Sequence, residues 1–168
     1  MTKVEAVSIE GRELEFDLYL REIKLSYEGH KNDWIDPLIN EWKDYLYGTM
    51  LIDENEDIYA FGFIQDFGSG MVRILTRTWV DPDRRSKAMR REFSIGPLIA
   101  EHQLNWLKTQ NYSRAIFTFE NRGVNALKFT SKRIMKKTGL EFKIQPDKIK
   151  TFEGATPEQY QIWAMLEL

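Results

Sequence analysis

The stretch from Met71 to Phe119 constrains the fold more than any other part of the chain. Met71 to Val80 reads as a long strand, with Val72, Ile74, Thr76, Thr78 and Val80 alternating on one side. A basic connection, Asp81 to Ser94, follows it. Gly96-Pro97 then opens a helix carrying Leu98, Ile99, Leu104, Trp106 and Leu107, because Pro is favoured at the first helical position. Asn111 closes that helix, and Arg114 to Phe119 (RAIFTF) is a short apolar strand, predicted to be buried and central. A strand–helix–strand unit implies a right-handed crossover and parallel pairing.

The flanking segments add antiparallel strands and more helices. Val4 to Ile9 reads as an opening strand. From Glu13 to Ser26 the signal is mixed. Leu14, Phe16, Leu18 and Leu20 alternate, whereas Phe16, Tyr19, Leu20, Ile23 and Tyr27 fall at helical spacing and extend further, which favours a helix. In a second helix, Asn32 or Asp33 is the cap and Pro37 lies in the first turn. Ile35, Leu38, Ile39, Trp42, Tyr45 and Leu46 form one face, and Gly48 is the stop. Thr49 to Ile52 and Ile58 to Ile64 are strands around an acidic turn, Asp53 to Asp57. A second turn, Asp66 to Gly70, joins them to the long strand as an antiparallel meander. Downstream, a helix from about Gly123 to Lys137 carries Val124, Leu127, Phe129, Ile134 and Met135 and stops at Gly139. Strands at Glu141 to Ile144 and Tyr160 to Glu167 flank a loop, Pro146 to Thr156. The expected class is α/β: a mixed, largely antiparallel sheet with a central parallel strand–helix–strand unit, flanked by helices. With no repeat and no linker, residues 1–168 read as a single domain.

Composition removes several chemistries. The chain has no cysteine, so disulfides, thiolate metal sites and cysteine nucleophiles are excluded. Its two histidines, His30 and His102, cannot build a histidine-rich metal site. No apolar run approaches the roughly 20 residues that span a bilayer, and the charged N-terminus lacks an apolar signal region. A cytoplasmic protein without membrane partners is the expectation. The net charge of −2 argues against the whole chain binding nucleic acid. Two basic clusters stand out, Arg84, Arg85, Lys87, Arg90 and Arg91, and Lys128, Lys132, Arg133, Lys136 and Lys137. On a near-neutral chain they fit a phosphate-bearing small ligand at least as well as a polyanion. A solvated loop and a solvated helix face are the plainer readings.

Three local features narrow the class. Val80, Pro82 and Arg85 fit a strand end of the form V-x-P-x-x-R. A basic residue followed by small residues at a helix start suits a pyrophosphate, since successive backbone N–H groups and the helix dipole hold phosphate oxygens. Two registers offer it. Arg85 to Arg90 continues directly but has no glycine. Arg91 to Gly96 keeps the basic residue and the last glycine, with Ser94 for the first, and is preferred. The third feature is the run Ile116 to Asn121 followed by Ala126, Phe129 and Gly139-Leu140. Together with the element order, these features resemble the GNAT superfamily of N-acyltransferases over essentially the whole chain. The overall style is similar to outlying members found in phage and marine microbial genomes.

The resemblance implies acetyl-CoA or a related acyl-CoA as the acyl donor. Its implied contacts are Thr78, Trp79, Val80, Arg85, Arg91, Ser94, Ile95, Gly96 and Asn121. The pantetheine arm would follow the backbone from Thr78 to Val80, where the Val80 N–H could polarise the thioester carbonyl. No metal is implied. Glu120, at the end of the fifth strand, is the candidate general base. An acid favouring the dipole of the next helix is its plainer reading. His102 is read as a half-buried helix histidine rather than a base. The tyrosine that the family often carries on the helix after the fifth strand is replaced here by Thr130 or Met135, depending on the count. The acceptor would be a small-molecule or peptide amine, bound between the Glu13–Gly48 and Pro146–Thr156 segments, and a homodimer through the last strands is common in such proteins. A GNAT-fold protein that binds without catalysis, and a nucleic-acid-associated module, are the alternatives.

Overall fold

A computed structural model describes residues 3–27, 34–83, 95–120 and 123–168. The elements run β1 (Val4–Ser8), α1 (Glu13–Ser26), α2 (Ile35–Glu41), β2 (Tyr47–Asp53), β3 (Ile58–Gly68), β4 (Met71–Val80), α3 (Ile95–Leu107), β5 (Arg114–Phe119), α4 (Val124–Thr138), β6 (Lys143–Ile144) and β7 (Ile162–Glu167). Short 3-10 turns sit at Trp42–Asp44 and Pro157–Gln159.

The seven strands form one sheet in the order β1-β2-β3-β4-β5-β7-β6. Every neighbouring pair is antiparallel except β4 and β5, which α3 connects as a parallel crossover. The expected class is what the structure has. One face of the sheet carries α1 and α2, through a core of Phe16, Leu20, Ile23, Leu38, Trp42, Phe61 and Phe63. The other face carries α3 and α4, through Ile74, Ala100, Leu104, Phe117, Leu127 and Ile134. α1 resolves its mixed signal as a helix because Phe16, Leu20 and Ile23 fall on one side and are buried, leaving Leu14 and Leu18 exposed.

Several boundaries differ from expectation, each for a packing reason. Gly48 does not end a helix. α2 stops at Glu41, and Gly48 lies inside β2, where a Cβ would come within 2.6 Å of Ile9 Cδ1. It is a glycine of close approach. Gly96 and Pro97 do stand in the first described turn of α3, as expected of the residues that open it. β3 continues to Gly68 because the hairpin turn is confined to Ser69 and Gly70. Phe129 and Met135 are exposed, and α4 buries a narrower stripe of Leu127, Ser131 and Ile134. Gly139 does end α4, in the left-handed conformation at φ 74°, its N–H bonded to the Met135 carbonyl.

Candidate active site

The site is created by two irregularities in β4. Strict alternation would place Thr76 beside Val72 and Ile74. The structure instead holds Leu75 at φ 58° and Arg77 at φ 53°, both left-handed and neither glycine. The pairing with β3 slips at the same places. Phe61 opposes Trp79, Phe63 opposes Thr76, and Gln65 opposes Arg73. Each bulge inserts a residue and turns the strand over by one face. Ile74 and Leu75 therefore pack with α3 and α4, while Thr76 and Arg77 line the opposite, α2-side face. The two inversions cancel, so Trp79 returns to the α1–α2 side and Val80 to the α3 side.

The bulges coincide with a fork in the sheet. β4 and β5 pair only over Met71–Arg114, Val72–Ala115 and Arg73–Ile116. Beyond that rung β5 continues to Phe119 against β7 alone. Asp81 N–H bonds Tyr59 C=O at 2.9 Å, and Val80 opposes Ala60 in the register. That pattern turns the Val80 backbone away from β3, toward the fork, whereas the Trp79 backbone pairs with Phe61.

Side chains hold the bulged strand in place. The Thr76 hydroxyl donates to the Arg73 carbonyl at 3.0 Å and the Thr78 hydroxyl to the Leu75 carbonyl at 2.6 Å. The Leu75 N–H donates to Oε1 of Gln103, a fully buried residue of α3, at 3.0 Å. Gly62 leaves the space this arrangement needs, since a Cβ there would meet Thr78 Oγ1 at 2.8 Å. Gln103→Leu keeps the volume and removes the acceptor. It is expected to lower stability by about 1–3 kcal/mol in denaturant titrations, the cost of leaving the Leu75 N–H unpaired. An unchanged midpoint would show that the bulge does not depend on α3.

On the α2-side face the fork opens into a cleft of about 520 Å³. Arg73 and Arg77 come from β4, Glu41 and Tyr45 from α2 and the segment after it, and Phe152 and Gln161 from the region before β7. Gln161 Oε1 accepts from Thr118 Oγ1 at 2.6 Å and from Arg73 Nη2 at 3.3 Å, tying β5 to β4 across the fork. Arg77 Nε donates to the Tyr45 hydroxyl at 3.4 Å. Burial, and then the neighbouring Arg77 charge, push the Arg73 guanidinium below its ordinary value. Sequence reasoning located the two segments flanking this cleft but missed Glu41, Arg73, Arg77 and Gln161. The one local signal was a cation, Arg73, between the apolar residues of a central strand.

The expected site residues distribute as follows. Val80 borders the fork, and Thr78 stands at the second bulge. The Trp79 ring packs away from the fork, stacked on Phe61 at 5.5 Å and Trp34 at 6.0 Å. Ile95 and Gly96 lie in the first described turn of α3, and a Cβ on Gly96 would meet no atom of the described residues within 4 Å. Glu120 is exposed and follows β5 directly, with alternation placing it on the Thr118 side. Arg85, Arg91, Ser94 and Asn121 lie outside the described residues, as does the choice between the two loop registers. His102 is half-buried, bonded through Nε2 to the Tyr47 hydroxyl at 2.8 Å, and burial lowers its basicity. Tyr47 in turn stacks on Trp106 at 4.5 Å. Among the described residues no cluster of His, Cys, Asp and Glu could hold a metal ion, and no helix is long and apolar enough to cross a membrane.

No family model and no curated protein sequence matches the chain. Solved structures do. A GNAT-family acetyltransferase from Staphylococcus aureus MU50 is similar with a TM-score of 0.62 and 14% identity, over 98% of this chain and 99% of that one. A spermidine N-acetyltransferase variant from Vibrio cholerae has a TM-score of 0.57 and 9% identity, over 99% and 92%. A Bacillus subtilis acetyltransferase in complex with CoA has a TM-score of 0.56 and 12% identity, over 99% of each chain. At these identities the likeness shows the fold, and the fold is that of the GNAT acyltransferases.

Proposed function

We propose that the protein is an acyl-CoA-dependent N-acyltransferase that passes an acetyl group to an amine by direct attack within a ternary complex. The observation that carries this reading is the fork. The Val80 backbone faces it, α3 starts beside it with the open side of Gly96, and an acceptor-sized cleft enters it from the opposite face. These residues fit an acyl-CoA. Gly96 and the first N–H groups of α3 suit its phosphates, and the fork suits the thin pantetheine arm. Acyl-CoA supplies the acyl group already activated as a thioester. The chain's part is to hold both reactants in line, to place the Val80 N–H where negative charge develops on the carbonyl oxygen, and to accept the amine proton. Glu120 is the proposed acceptor of that proton. A second reading, binding without turnover, draws support from α4, which carries no tyrosine to return a proton to the thiolate.

The test is acetyl-CoA-dependent release of free thiol across a panel of small amines and peptide N-termini. Release that depends on the amine, with the acetylated product seen by mass spectrometry, is expected. Acetyl-CoA binding without release from any amine would favour the second reading.

A further inference from the structure

The cleft carries a charge pattern that its own protein groups do not resolve. Arg73 and Arg77 come from one strand, and neither forms an ion pair among the described residues. Among the described residues the donor fork of the Arg73 guanidinium finds one acceptor, Gln161 Oε1, which Thr118 already shares. Two guanidinium groups held close repel, and a half-buried cation without a counter-charge is costly. The chain maintains this arrangement with a left-handed, non-glycine backbone at Arg77, which brings that residue to the cleft face. The cleft also offers groups of the opposite kind. Glu41 lines it, pairing with neither arginine, and Gln65, directly opposite Arg73 in the ladder, has a buried carboxamide oxygen with no partner.

From this we infer that the acceptor is an amine that also carries an anionic group, a carboxylate or phosphate, held by Arg73 and Arg77 while its amine end is directed into the fork, with Glu41 and Gln65 left to accept from other donors of the same molecule. The inference rests on the acyltransferase reading for the word acceptor, but the binding chemistry stands apart from it. Arg73 sits on the last paired rung of β4 and β5, so an anion fixed there leaves the rest of the molecule pointing along the opening of the fork. Arginine forks take both carboxylate and phosphate in bidentate geometry, which is why the shared chemistry, not one anion, is assigned.

The experiment measures binding of matched compounds to the intact protein by calorimetry, with and without CoA. α- and ω-amino acids are compared with their carboxamides, and O-phosphoethanolamine with ethanolamine, with spermidine as a polycation. At least one anionic amine is expected to bind about 10- to 100-fold more tightly than its uncharged counterpart. Arg73→Gln should abolish that preference while leaving the weak binding of the counterpart unchanged. Arg77→Gln, at an exposed position that does not threaten folding, should reduce it. The carboxylate and phosphate arms show which anion is used. Equal binding of charged and uncharged partners, tighter binding of spermidine, or no binding of any anionic amine at millimolar concentration would overturn the inference. Failure of acetyl-CoA to bind while the anionic amine still binds would instead overturn the acyltransferase reading alone.

Discussion

Phe16→Ala is expected to lower stability by about 3–5 kcal/mol, the largest structural effect we foresee from a single truncation. Phe16 is fully buried, and its ring meets three others edge-on: Trp42 at 5.1 Å, Phe61 at 5.2 Å and Phe63 at 5.8 Å. These partners come from the turn after α2 and from β3, so one side chain of α1 joins three elements. Alanine removes the ring, leaves a cavity and deprives its neighbours of edge-to-face contacts. Domains of this kind are held by roughly 5–15 kcal/mol in total, so such a loss is a large share. The same cluster seats Trp42 close to Glu41 and Tyr45, which line the cleft, so acceptor affinity should fall along with the urea midpoint. A cost below about 1 kcal/mol would mean that α1 and α2 are not anchored through this ring.

Glu120→Gln is expected to reduce turnover with a saturating amine by about 100-fold or more, within the range that a positioned base contributes. The substitution keeps size and hydrogen bonding and removes the ability to take a proton. Acetyl-CoA affinity, measured by titration, should be largely retained, which separates a lost proton acceptor from a lost donor site. Glu41→Gln is the comparison, because among the described residues Glu41 is the carboxylate lining the cleft. If Glu41→Gln lowers turnover that far and Glu120→Gln does not, the proton leaves on the α2 side and the assignment of Glu120 is wrong.

The parts of the fold that follow from local pattern were legible in the sequence. α1 runs from Glu13 to Ser26 because one buried stripe decides it, and the bounds of β4, Met71 to Val80, follow from periodicity although its alternation fails at Thr76. Gly48 misled because Tyr45 and Leu46 continue the helical spacing, and a glycine after them looks like a stop. What fixes it is Ile9 Cδ1, from a different strand, in the space a side chain would need. The bulges at Leu75 and Arg77 leave no sequence signal. Left-handed backbone is announced by glycine or asparagine, and here a leucine and an arginine are held there by Gln103, Thr76 and Thr78. The cleft was legible only as two flanking segments. Its polar lining draws on Glu41, Arg73 and Gln161, residues far apart in the chain, which come to share one cleft only after the sheet has folded.

The central claim is that the fork receives acyl-CoA, and calorimetric titration of the protein with acetyl-CoA tests it most directly when repeated on Gly96→Trp. A side chain at position 96 meets no atom of the described residues within 4 Å at the start of α3, so the substitution does not clash with the described core. Saturable binding to the parent is expected, with a loss of affinity of at least about 10-fold in the variant, as the indole occupies the approach to the helix N–H groups. No binding to the parent at millimolar acetyl-CoA, or equal binding to both proteins, would contradict it.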